Sequence, residues 1–220
     1  MQLKCLTMVL LWQVFVTPPH FAFAAKAEED VNFKEFINDV EHLVLDTENE
    51  ALRLSISIYQ GLANAMTPQL RQAAAPLMES YVEMVRHALA NNSSYGEKRI
   101  LLRHFRINNW KLERLRMKLA PEMPKFQFEV ISQEFYFSGL NTTKFDNIYL
   151  RFMHQFQRAS EKLWNCLSED VVEHQQEMLE ILDEISEEKN LAEKDKLYDE
   201  FIETFLFKTE KDRLETRELE

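Results

Sequence analysis

Apolar residues along this chain recur at alternating spacings of four and three, and the longest such run extends from Phe145 to about Glu188. Its first half reads Phe145, Tyr149, Phe152, Phe156, Ala159, Leu163 and Cys166. The second continues through Leu167, Val171, His174, Met178, Ile181 and Ile185, displaced by one position. Spacing of this kind places one stripe of side chains on one face of a helix, so the run predicts a long helix that lies along others and buries that stripe. The displacement reads as a stutter, where a coiled packing locally unwinds.

The same rhythm predicts the remaining elements. It holds without a slip through Phe33, Ile37, Val40, Val44, Thr47, Ala51, Leu54, Ile58, Gly61 and Ala65, a rod of roughly 50 Å at the rise of an α-helix. The polar run Asp46-Thr47-Glu48-Asn49-Glu50 offers an alternative break, with Asp46 or Thr47 as an N-cap, but continuity is the simpler reading. Thr67-Pro68 is a helix start, with Thr as cap and Pro where its missing N–H is harmless. The seam that follows is Leu70, Ala74, Leu77, Tyr81, Met84 and Ala88, and Pro76 inside it predicts a kink or a restart.

A turn over residues 91–96 leads to a third helix with Leu101, Phe105, Asn108, Leu112, Leu115 and Leu119 on its seam, ended by Pro121 and Pro124. Residues 126–140 alternate like a strand at Phe126, Phe128 and Val130, yet no partner strand is evident, so they read as a short helix or an extended packing segment. Asn190 separates the long run from a last helix with Leu197, Tyr198, Phe201, Ile202, Phe205 and Leu206 on a broad apolar face. The expected architecture is all-α: an antiparallel bundle of about five amphipathic helices, some long and coiled-coil-like, forming one domain over residues 25–207. The tail 208–220, charged on all sides, is expected to fray.

Composition agrees with that class. Only 3 Gly and 6 Pro in 220 residues leave little material for hairpin turns. A formal net charge of −11 argues against nucleic acid or an anionic membrane surface as a nonspecific partner.

Residues 1–24 read as a cleaved signal peptide: Lys4, then an apolar run from Leu6 to Val16, then Ala22-Phe23-Ala24 as a small-x-small cleavage site. The run is interrupted by Gln13 and stopped by Pro18 and Pro19, short of the roughly 20 residues that span a bilayer. Secretion is the expected destination, and no integral span is expected. Three N-glycosylation sequons, at Asn91, Asn92 and Asn141, fall in predicted loops, which fits an extracellular glycoprotein. Cleavage would remove Cys5 and leave Cys166 alone. Cys166 then has two readings, a small buried apolar side chain or an intermolecular disulfide linking a homodimer.

Motifs for catalysis, cofactors or metals are largely missing, which argues against an enzyme. There is no His-Glu-x-x-His, no Gly-x-Ser-x-Gly and no phosphate-cradling glycine loop. Asp39-x-x-His42 stands alone, and His174 with Glu173 and Glu177 reads as a seam histidine or a solvated ion pair rather than a ligand set.

Two features point to binding. Nine basic residues between positions 98 and 125, Arg103, Arg106, Lys111 and Arg114 among them, face only Glu97, Glu113 and Glu122. They read either as internal complement to the acidic stretch after Cys166 or as a docking surface for an acidic glycan or an extracellular protein. Lys98-Arg99 also reads as a dibasic processing site. Sixteen phenylalanines read first as core and second as the lining of an inter-helix cavity for a lipid or other small apolar molecule, held by Phe145, Tyr149, Phe152 and Phe156. The leading expectation is a secreted, non-enzymatic binding protein, and the apolar carrier is the alternative.

Overall fold

The computed structural model describes residues 19–122, 142–167 and 175–207, and every regular element among them is helical. The first helix, α1, runs without a break over Pro19–Ala65. α2 covers Pro68–Ala90 and α3 Tyr95–Leu119, with a 3-10 turn at Ala120–Glu122. α4 spans Thr142–Trp164, α5 Gln176–Glu187 and α6 Leu191–Phe201, and the last of these widens into a π turn over Ile202–Leu206. No described helix is long and apolar enough to cross a membrane. Residues 126–140, Asn141, the pair Glu173 and His174, and the tail 208–220 lie outside the described residues.

α1 is the spine, packing against α2, α3 and α4. Its two halves serve different apolar clusters. Phe33, Phe36, Val40 and Val44 join Phe152, Phe156 and Leu163 of α4, Met178, Leu179, Leu182 and Ile185 of α5, and Tyr198 and Phe201 of α6. Leu52, Ile58, Tyr59 and Leu62 join Leu70, Tyr81 and Val85 of α2 and Leu101, Phe105 and Leu112 of α3. Phe145, near the start of α4, reaches this second cluster at Phe105, with ring centroids 5.8 Å apart. α4 therefore runs antiparallel to α1.

Local chemistry sets the ends of α2 and α3. The Thr67 hydroxyl accepts from the Leu70 N–H at 3.3 Å, and Pro68 takes the first helical position. At α3, the Glu97 N–H donates to the Ser94 hydroxyl while the Ser94 N–H donates to the Glu97 carboxylate, a reciprocal capping box. That box was legible as Ser94-x-x-Glu97, three residues inside a stretch read as turn. Asn190 caps α6 through the Ala192 N–H at 3.0 Å.

Several expectations change in detail. The stutter at Cys166 is a break: α4 ends at Trp164 and a tightened turn follows, with Cys166 N–H donating to Leu163 O at 2.9 Å. An unbroken helix would carry Leu182 roughly 28 Å from Leu163 along its axis, yet both belong to one cluster. Cys166 accordingly leaves the seam and is exposed, so its reading as a buried apolar side chain does not hold. Pro76 does not restart α2; it sits on the exposed side of a continuous helix.

Beyond Ala51 the buried face of α1 turns away from the strict four-three seam, toward Leu52, Ser55, Tyr59, Leu62 and Met66; of the expected positions Ile58 stays buried while Gly61 is exposed. A straight helix drifts by about 20° per heptad from a 3.5-residue repeat, which over four heptads rotates the buried face by most of a quarter turn. In α2 Met78 and Val85 are buried in place of Leu77 and Met84. Thr47 does not cap a break either; its hydroxyl donates back to Leu43 O at 2.7 Å.

Candidate functional site on the third helix

α3 carries charge on both sides, and the two sides differ in what they meet. On the inner side, Lys98 is fully buried and Arg99 donates to Asp199 of α6 at 3.0 Å, with Glu48 of α1 at 3.9 Å. The Arg99 guanidinium also sits 5.7 Å from the Tyr95 ring centroid, and Tyr95 stacks on Phe207 at 4.5 Å. Arg116, buried, is held by Glu113 one turn earlier. Of the dibasic pair Lys98-Arg99, near the start of α3, Lys98 is enclosed and Arg99 is half-buried and paired with Asp199.

This inner group forms a polar belt where the two apolar clusters meet. Burial pushes the Glu48 carboxyl up to about 7, opposed by Arg99, reinforced by Asp199 and opposed again by Lys98. Its Oε2 has no hydrogen-bond partner among the described residues, nor has the Tyr95 hydroxyl. Burial also raises the Tyr149 phenol, with Glu48 the next contributor. Burial lowers Arg99, but Tyr95, Asp199 and Glu48 outweigh it and keep the guanidinium charged.

The outer side is different. Arg103, Arg106, Lys111 and Arg114 are all exposed, and no carboxylate of the described residues lies within ion-pair distance of any of them. Both acidic residues of α3 are already engaged, Glu97 in the capping box and Glu113 with Arg116. Between the cations lie large apolar side chains left in water: Ile100 at 37% exposure, Ile107 at 43%, Trp110 at 57% and Met117 at 55%. The Arg114 guanidinium carbon lies 3.7 Å from the Trp110 ring centroid. Elsewhere the exposed large apolar residues are scattered, Val31 on α1, Met84 on α2, Leu150 and Trp164 at separate points of α4 and Leu191 on α6, the ordinary condition of a protein surface. On α3 they form one row.

The four aromatic residues expected to line a cavity are divided. Phe156 packs edge-on against Tyr198 at 4.9 Å, Phe201 at 5.1 Å and Phe36 at 6.2 Å, and Phe152 is 5.9 Å away. Phe145 belongs to the other cluster and Tyr149 borders the polar belt. Asn91 caps the end of α2, where its side-chain nitrogen is 2.8 Å from His87, and Asn92 follows in the left-handed region at φ 49°; both are exposed.

The chain matches no protein-family model, no curated protein and no solved structure. What the architecture defines is an all-helical protein packed helix on helix.

Proposed function

We propose that this is a secreted, N-glycosylated, non-enzymatic protein that binds an acidic macromolecule outside the cell through the outward face of α3. The observation that carries the reading is the division of that helix: its inner cations are engaged with Glu48, Asp199 and Glu113, whereas Arg103, Arg106, Lys111 and Arg114 point to solvent around exposed Trp110. Cations gathered on one face raise the local potential and steer an acidic partner even where net charge is negative. Glycans at Asn91 or Asn92 would stand at the α2–α3 turn, beside the start of the basic face.

Expression in secreting cells tests the first part: the mature protein is expected to begin near Ala25 and to lose mass on enzymatic deglycosylation. Binding to immobilised heparin, an acidic probe, tests the second. Elution is expected to shift to lower salt in Arg103→Gln/Arg106→Gln/Arg114→Gln, with the helical circular dichroism unchanged; equal elution of the two proteins removes α3 from the reading.

A further inference from the structure

The outer row of α3 has an order of its own. Ile100, Arg103, Ile107, Trp110, Arg114 and Met117 follow one another at steps of three, four, three, four and three, and all six are exposed. This is the spacing with which one helix receives another along a seam, and it covers roughly 25 Å, about five turns. α3 is thus patterned for helix packing twice: once inward, where Leu101, Phe105 and Leu112 are covered by α1 and α2, and once outward, where nothing described covers it.

Resting on the binding reading above, we infer that the partner at this face is a helix of another protein, apolar along one stripe and acidic along its flanks. Charge decides against the other occupants. A second copy docking through its own α3 would set Arg103, Arg106, Lys111 and Arg114 against themselves. Its acidic helix α5 exposes Glu177, Glu180, Asp183 and Glu184 but no exposed apolar side chain, so it would leave Ile107, Trp110 and Met117 wet. A sulfated glycan satisfies the arginines and likewise leaves the apolar row uncovered. A membrane-surface helix keeps its cations beside a broad apolar face, whereas here Arg103 and Arg114 interrupt the row itself. A helix with leucine-like side chains in the seam and glutamates beside them meets both requirements: apolar knobs against Ile107, Trp110 and Met117, and carboxylates against the flanking cations.

The test uses the full secreted chain and a labelled designed peptide of three heptads with leucine at two positions per heptad and glutamate flanking them. A scrambled peptide of the same composition, heparin, and phosphatidylserine vesicles serve as comparison probes. The amphipathic peptide is expected to bind at least tenfold tighter than the scrambled one. Ile107→Ser/Trp110→Ser and, separately, Arg103→Gln/Arg114→Gln are each expected to remove that preference, while only the arginine variant weakens heparin. Both variants change exposed residues and are checked by circular dichroism. Heparin binding without discrimination between the peptides overturns the helical partner and leaves the acidic-partner reading standing. Failure with both heparin and peptide overturns both. Retention on vesicles that Ile107→Ser/Trp110→Ser abolishes, or a concentration-dependent dimer lost in that variant, overturns it in favour of lipid or of a second copy.

Discussion

Glu48 of α1 and Arg99 of α3 face each other at 3.9 Å where the two apolar clusters meet, and Arg99 reaches on to Asp199 of α6 at 3.0 Å. Three helices thus share one guanidinium. Arg99 keeps a carboxylate partner whether or not Glu48 is charged.

Acidity should therefore act on stability through Glu48. The folded chain holds its proton up to about 7, against 4.5 ordinarily, because burial outweighs the pull of Arg99 and Lys98 and Asp199 adds to it. Between those values the folded state binds more protons than the unfolded one, so Glu48's contribution is full below the lower value and is lost as pH rises through the upper. Asp195, raised by burial and by Asp199, acts in the same direction. Glu48→Gln should flatten the fall in unfolding free energy between about pH 5 and 8 by up to about 3 kcal/mol. Urea melts across that range check it; a variant that keeps the wild-type slope would show that the buried carboxyl is not its source.

Two positions in helix interiors invite stabilisation. A Cβ at Gly61 would meet no atom within 4 Å, so Gly61→Ala should raise stability by about 0.5–1 kcal/mol by restricting the unfolded chain. Pro76 lies exposed inside α2, and Pro76→Ala should restore a helix hydrogen bond, worth on the order of 1–3 kcal/mol. Thermal melts of both variants decide the matter, a lowered midpoint counting against it.

The capping box separates two adjacent serines. Ser94→Ala removes the side chain that accepts the Glu97 N–H and should cost about 1 kcal/mol. Ser93→Ala should stay within about 0.5 kcal/mol. In secreting cells the first change deletes the Asn92 sequon and the second deletes that of Asn91, so masses of the two variants also report which asparagine carries a glycan.

Core and surface aromatics should answer differently. Phe156 is enclosed by Phe36, Phe152, Tyr198 and Phe201, and Phe156→Ala should cost about 3–5 kcal/mol. Trp110→Ser, on the exposed face, should cost about 1 kcal/mol or less, mainly its contact with Arg114. Equal losses would mean that Trp110 is a core residue.

Cys166, exposed in the turn after α4, should react with a maleimide in the folded protein about as fast as after denaturation. Labelling that waits for unfolding would put the thiol back in the core.

Much of this architecture was legible in the sequence because helix formation, capping and amphipathic spacing are decided within a few residues. Thr67-Pro68, Ser94-x-x-Glu97 and Asn190 mark helix starts through bonds to N–H groups two or three positions on, and the apolar spacing marks which stretches have a face to bury. Arg103, Arg106, Lys111 and Arg114 could be gathered on one helix by the same reasoning. The rest depended on neighbours. The rotation of α1 that buries Tyr59 and exposes Gly61 accumulates over many turns and is set by what α2 and α3 present to it. The break after Trp164 exists because Met178, Leu182 and Ile185 are buried in the same cluster as Phe156, which no local signal announces. Above all, the sequence determined that α3 is basic, but only the tertiary structure divided its cations: Lys98 is enclosed, Arg99 reaches one carboxylate of α1 and one of α6, Arg116 is held by one of α3 itself, and Arg103, Arg106, Lys111 and Arg114 remain in water around Trp110. That division rests on contacts between residues as far apart as Glu48 and Asp199, and spacing along the chain carries no record of them.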